Sequence, residues 1–95
     1  MTRIRWARLA QIDLEAIDDF HRETNPTRAA EVLAQAVAAA RFLAEFPEAG
    51  ERVAGRALRK WAVRGTPYII FYRLDGSALR ILRLIHAARD WTQLI

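Results

Sequence analysis

Two apolar runs, "YIIFYRL" at 68–74 and "ALRILRLIH" at 78–86, are separated by little more than an Asp-Gly pair, and no other stretch restricts the fold of this chain as tightly. Both runs are rich in β-branched and aromatic residues, which suit a pleated, half-buried surface. Asp75-Gly76 is a hairpin signal, because a type I′ turn needs positive φ at both central residues and these residue types tolerate it. Such a turn predicts that Leu74 faces Ser77, Tyr72 faces Leu79, Ile70 faces Ile81 and Tyr68 faces Arg83. The opposite face then sets Phe71 against Arg80 and Ile69 against Leu82, followed by Leu84 and His86. Both faces are partly apolar. One is expected to cover other elements of the chain, and the second to need a cover from the tail "DWTQLI" or from outside.

The elements that the hairpin packs against lie upstream. "RIRW" alternates polar and apolar residues and reads as a short first strand. Leu9, Ile12, Ala16, Ile17 and Phe20 then recur at helical spacing, with mostly charged residues between them, until about Thr24. Asn25 and Pro26 restart a helix, since Asn caps orphan amides and Pro is tolerated at the first helical position. This second helix runs to about Phe46, and its expected buried stripe is Ala29, Leu33, Ala36, Val37, Ala40, Leu43 and Ala44. "FPEAGERVAG" is a polar loop returning the chain to a sheet, whose first strand covers about 57–63. The order predicts an α+β fold: a short N-terminal strand, an antiparallel helix pair, then a three-stranded antiparallel meander.

A chain of 95 residues with 53% hydrophobic and 27% charged content fits one domain, 1–95, around one core. With no cysteine and two histidines, disulfide frameworks and thiolate metal sites are excluded, and neither a metal nor a cofactor is expected. The N-terminus meets charge before an apolar segment develops, and nowhere do about eighteen apolar residues run together, so a cytoplasmic protein away from membranes is expected. Charge is unevenly spread. Residues 1–50 hold six Arg against eight Asp or Glu, which is −2, whereas 51–95 hold eight Arg and Lys60 against Glu51, Asp75 and Asp90, which is +6. Arginine's flat fork suits phosphates, carboxylates and base edges, so a nucleic acid or an acidic protein fits the second half.

His86 ends the last apolar run, where it is a catalytic base, a contact residue or a polar strand end. No nucleophile motif, Gly-rich phosphate loop or metal spacing accompanies it. Arg59, Arg64, Arg83 and Arg89 lie on or beside the last three strands. Trp61, Tyr68 and Tyr72 interleave with them, an arrangement that serves nucleic-acid stacking and protein interfaces equally. Trp91, Leu94 and Ile95 are expected to close a last turn onto the domain edge.

This order of elements, ending in "ILRLIHAARDW", resembles the RelE/ParE superfamily of toxins from bacterial toxin-antitoxin pairs. The resemblance covers nearly the whole chain and rests on "LAQIDLEAIDDF", "NPTRAAEVLAQAV", "LAEFPEAGERV", "LRKWAVRGTPYIIFYRLDG" and the His-x-x-Arg-Asp ending, with the tail most similar to ParE-like members. Resemblance to that branch implies a toxin that poisons DNA gyrase and is neutralised by a ParD-like antitoxin whose disordered tail folds over apolar grooves, in a higher-order hetero-oligomer. On this reading Arg59, Trp61, Arg64, Arg83, His86 and Arg89 contact the target, Tyr68, Tyr72, Trp91 and Leu94 contact the antitoxin, and the chain itself catalyses nothing.

The RelE-like branch implies instead a ribosome-dependent messenger endoribonuclease, with His86, Arg83 and Arg89 as the catalytic set. Members of that branch commonly carry a Tyr about four positions after the Arg that follows the last strand. Counted from Arg89 that position is Gln93, no Tyr follows Tyr72, and Lys60 is the only lysine.

Overall fold

The computed structural model describes residues 2–95. In chain order it contains β1 (Arg3–Trp6), α1 (Arg8–Thr24), α2 (Pro26–Glu45), β2 (Glu51–Arg52), β3 (Arg59–Ala62), β4 (Tyr68–Asp75), β5 (Ala78–His86) and a 3-10 turn at Trp91–Gln93. The expected α+β order is present, and the sheet is larger than a meander. Its strand order is β1-β5-β4-β3-β2. Glu51 and Arg52, expected in a loop, pair antiparallel with Lys60 and Arg59. β1 joins the other edge parallel to β5, with Ile4 beside Leu79 and Trp6 beside Ile81. Parallel neighbours need a long crossover, and the helix pair supplies part of it.

The hairpin register differs from the one expected. The two-residue loop is Gly76-Ser77, flanked by the pair Asp75 and Ala78. Gly76 has φ +64° and no other residue type has positive φ among the described residues, so the turn carries glycine at the first central position, as type II′ requires. Tyr72 therefore faces Ile81 and Leu74 faces Leu79. A bulge follows: Tyr72 pairs with Ile81 and Phe71 with Arg83, leaving Leu82 as the extra residue. Beyond it every side chain of β5 changes face. Leu84 and His86 stand on the helix side opposite Ile70 and Tyr68, while Arg83 and Ile85 stand on the outer side opposite Phe71 and Ile69.

The helices cover the inner face, where Ile70, Tyr72, Leu79 and Ile81 are fully buried against Val32, Ala36, Ala40 and Leu43. α2 begins as expected, with Asn25 Oδ1 accepting the Arg28 amide at 3.1 Å and Pro26 in the first turn. Its buried stripe uses Val32 and Ala39 in place of Leu33 and Val37; Val37 is exposed. α1 departs further. Ala10, Leu14 and Ile17 face the core, whereas Leu9, Ile12 and Phe20 are 55%, 45% and 69% exposed. Asp13 and His21 also reach the sheet, where Arg83 and Tyr68 bond them.

The outer face is partly closed by the chain's own tail. Phe71 and Ile85 are buried with Val53 beneath Leu58, Ile69, Trp91, Leu94 and Ile95, and the Trp91 ring sits 5.3 Å from that of Phe71.

Tyr72 ties the sheet to the loop after α2. Its hydroxyl donates to the Pro47 carbonyl at 2.8 Å and accepts the Gly50 amide at 2.9 Å. Burial pushes its ionisation above the ordinary tyrosine range, against the smaller opposing influences of the Gly50 amide and Arg59. Gly50 is required by close approach, since a Cβ there would lie 2.8 Å from the Lys60 carbonyl oxygen and overlap the Tyr72 hydroxyl. Tyr72→Phe is expected to cost about 1–3 kcal/mol in urea unfolding at neutral pH, because two backbone groups lose a partner. A raised folded-state pKa stabilises fully below about pH 10 and is lost as pH rises through the folded value. The alkaline fall in stability should therefore be smaller in Tyr72→Phe than in the parent chain.

Candidate functional site

The end of the sheet formed by the β3–β4 turn and the last residues of β5 gathers groups that are far apart in sequence. Tyr68, 6% exposed, stands at its centre. His21 from α1 meets it with Nε2 2.9 Å from the hydroxyl, and the His86 ring packs edge-on at 5.5 Å from the other side. Both histidines of the chain thus bracket one buried tyrosine. Burial pushes the Tyr68 hydroxyl above its usual range, and the Arg28 charge opposes this only in part. Arg28 itself reaches from α2 to the Gly65 carbonyl at 2.9 Å, tying the helix to the β3–β4 turn.

His86 is half-buried, and its Nδ1 accepts the Ala88 amide at 3.0 Å. The ring proton then sits on Nε2, the nitrogen left to a partner. The chain turns sharply here, with the Arg89 amide on the His86 carbonyl at 3.0 Å, so Arg89 projects from an exposed turn. Arg64, also exposed, lies in the facing β3–β4 turn. Arg64, His86 and Arg89 are the sequence candidates that the fold collects at one end of the sheet.

The remaining candidates are committed elsewhere. Arg59 donates to the Glu48 and Gly50 carbonyls at 3.2 and 2.8 Å, holding the loop after α2. Arg83 forms a fork on Asp13, Nε to Oδ2 at 2.8 Å and Nη2 to Oδ1 at 3.0 Å, with Nη1 on the Leu94 carbonyl at 3.3 Å. Asp13 Oδ2 also accepts the Leu84 amide at 2.9 Å, just past the last residue of β5 that pairs with β1. The Asp13 bond holds the Arg83 guanidinium protonated to higher pH than usual, burial opposing it. Trp61 lies on the helix side, stacked on Phe42 at 5.3 Å, beside a cavity of about 410 Å³ lined by Gln35, Ala38, Phe42 and Arg64. Lys60 faces outward, 3.7 Å from Glu51 and 4.9 Å above the Trp91 ring.

Tyr68 and Tyr72 require a correction as antitoxin contacts. Both rings belong to the inner core, and Tyr72 is 0% exposed. Trp91 and Leu94 are half-buried on the outer face, with part of each side chain still accessible. Sequence reasoning missed Asp13 and His21, which helical spacing would have found: residues 10, 13, 14, 17 and 21 form one continuous line on α1. Among the described residues no group of His, Cys, Asp or Glu is gathered as a metal site.

An α1–α2 hairpin across one face of a β1-β5-β4-β3-β2 sheet, with this histidine-arginine ending, is the fold of RelE/ParE toxins. The chromosomal ParDE toxin-antitoxin system from P. aeruginosa superposes with a TM-score of 0.80 at 25% identity, over 90% of this chain and 96% of that one. The RelBE2 toxin-antitoxin complex from Mycobacterium tuberculosis shares the fold, with a TM-score of 0.57 at 23% identity over 90% and 96% of the two chains. A family model described as the ParE toxin of the type II toxin-antitoxin system parDE matches residues 4–91. The chain belongs to the ParE toxin family. It is also 37% identical over 89 residues to "Toxin RelE2" of Caulobacter vibrioides, spanning 94% of this chain and 99% of that protein.

The Asp13–Arg83 fork leads to a measurable expectation. Both side chains are about 15% exposed, so removing either leaves a largely desolvated charge. Asp13→Ala and Arg83→Ala should each cost about 2–4 kcal/mol in urea unfolding, with a coupling of roughly 1–3 kcal/mol in the double mutant. Any loss of activity in Arg83→Ala should follow its loss of folded protein.

Proposed function

We propose that this chain is the toxin of a ParDE-type pair, that it poisons DNA gyrase by binding, and that a ParD-like antitoxin holds it inactive. The observation that supports the binding reading is that Arg83, one of the three residues of the alternative catalytic set, is committed to Asp13, which leaves His86 with only exposed turn arginines beside it. Cleaving RNA through its 2′-hydroxyl calls for a general base, and for a cation at the developing phosphorane. Here the Tyr68 and Tyr72 rings are buried, Arg83 is held by Asp13, and Lys60 lies between Glu51 and Trp91. What projects at the His86 end is a set of contact groups: Arg64, Arg89 and the His86 Nε2. The RelE2 name of the Caulobacter relative keeps the ribosome as the alternative target.

The antitoxin reading rests on uncovered apolar surface. A groove of about 400 Å³ runs between the β1–α1 junction and the tail, lined by Leu9, Leu58, Leu82, Leu94 and Ile95, with Arg8 and Arg80 at its rim. An amphipathic tail with acidic flanks fits such a groove, and Leu94 retains its place among the expected antitoxin contacts. No helix of the described residues is long and apolar enough to cross a membrane.

Two experiments test these readings. Purified toxin should inhibit gyrase supercoiling and raise cleaved-DNA complexes while ribosome-bound messenger stays intact; codon-boundary cuts in messenger with gyrase unaffected would select the ribonuclease. Arg64→Ala and Arg89→Ala should each weaken gyrase binding by about 1–3 kcal/mol, and His86→Gln should cost no more than either. Abolition by His86→Gln alone would reverse that ranking. For the antitoxin groove, Leu9→Glu should weaken antitoxin binding by about 1–3 kcal/mol in calorimetry with toxicity retained, because the side chain is already half exposed.

A further inference from the structure

At the hairpin end of the sheet, far from His86, the register places three arginines in a row. Arg5 of β1 is the partner of Arg80 on β5, and Arg80 is the partner of Arg73 on β4. All three stand on the outer face, because the intervening partners Ile4 and Leu79 belong to the helix-side core. Arg3 follows on the same side of β1, and Arg3, Arg5 and Arg80 line a hollow of about 410 Å³ with the Gly76-Ser77 turn. Like charges directly opposite one another on neighbouring strands destabilise a sheet. Among the described residues Arg3, Arg5 and Arg80 make no salt bridge, and Asp75, the carboxylate lining the hollow, stands 3.9 Å from Arg73.

We propose that Arg3, Arg5, Arg73 and Arg80 form a contact surface for the phosphate backbone of a nucleic acid. Neighbouring strands lie about 4.8 Å apart, so the row spans about 10 Å, the rise of roughly three phosphates along one strand. Every cation in it is arginine, whose fork engages phosphate oxygens in pairs. Arg80 also borders the apolar groove lined by Leu58 and Leu82, so the preference for a polyphosphate over an acidic protein rests on the run of arginine forks at strand spacing. No aromatic side chain stands in the row for base stacking, so the contact reads charge and spacing without regard to sequence. The proposal does not depend on gyrase being the target.

The test uses the isolated chain and a fluorescein-labelled random-sequence DNA duplex, followed by anisotropy from about 50 to about 200 mM salt. Three phosphate contacts predict a log-log salt slope near about −2.7, an affinity loss of roughly 40-fold over that range. Arg5→Gln with Arg73→Gln leaves Arg80, and with it the rim of the antitoxin groove, untouched. This double variant should lower the slope by about 1.8, with a thermal midpoint no lower than the parent's because the repulsion on Arg80 is relieved. Arg5→Lys with Arg73→Lys should keep most of the slope. Arg22→Gln with Arg41→Gln, removing the same charge from the helices, should leave the slope unchanged. Equal DNA binding by the Arg5→Gln/Arg73→Gln protein overturns the proposal, as does an equal slope loss in the helix variant. A lowered midpoint in the row variant would show the arginines to be stabilising, against the repulsion on which the inference stands. Tighter capture of poly-glutamate than of DNA through the same arginines would assign the surface to an acidic protein and overturn it likewise.

Discussion

The Asp13 carboxylate is the point at which the helix layer and the sheet are fastened in one relative position. One of its oxygens takes both the Arg83 Nε and the Leu84 amide, the other takes Arg83 Nη2, and all three bonds lie between 2.8 and 3.0 Å. The Leu84 amide lies past the stretch of β5 that pairs with β1, so a side chain takes over where the ladder ends. Arginine opposite Phe71, not leucine, is available to that carboxylate only because the bulge at Leu82 shifts the rest of β5 by one residue. Bulge, ion pair and helix orientation are therefore a single arrangement. With Ala10, Leu14 and Ile17 turned to the sheet, Leu9, Ile12 and Phe20 stay exposed, and Asp13 stands at the edge between the two faces of α1.

Much of this fold could be read from the chain, and the failures have a common origin. Periodicity located both helices, Asn25-Pro26 marked the boundary between them, and residue type located β1, β4 and β5 nearly to the residue. Apolar spacing set Asp13 on the outer side because it treats a polar side chain as outward by default, and it gave His21 no place, whereas each has a partner from the sheet some 50 to 70 residues away along the chain. The partners themselves are fixed by tertiary contact, although the line of residues 10, 13, 14, 17 and 21 on α1 marks the face that meets them. The hairpin turn was legible as a turn, but Asp-Gly and Gly-Ser compete for the loop, and the choice moved each pairing by two positions. The bulge moved the remainder by one more, which put Leu84 in the core and Arg83 beside α1.

The candidate site was legible in part for the same reason. Arg64, His86 and Arg89 stand at strand ends or in turns, where a one-residue slip changes little, and the strand order puts all three at one end of the sheet. Arg59, Arg83, Tyr68 and Tyr72 lie within paired strands, where face and partner decide everything; each is occupied by the structure itself. His21 joins the site from the inward line of α1, four residues after Ile17. The outcome is a molecule with its basic groups divided between the two ends of one sheet and its uncovered apolar surface on α1 and beside the tail.

The position of β5 between β1 and β4 has a consequence for how the protein comes into being. Translation delivers β1 first and β5 after every other strand, yet the parallel ladder joins Arg3 to Ala78, a separation of 75 residues. Contacts of such range carry a large loop-closure cost and form late. A nascent chain that has reached β4 still lacks the strand between its two halves, together with the Arg83 that anchors α1 and the histidine of the far end. Completion of the sheet is thus postponed until β5 has been made, and until then the helix pair has only separate strands to pack on.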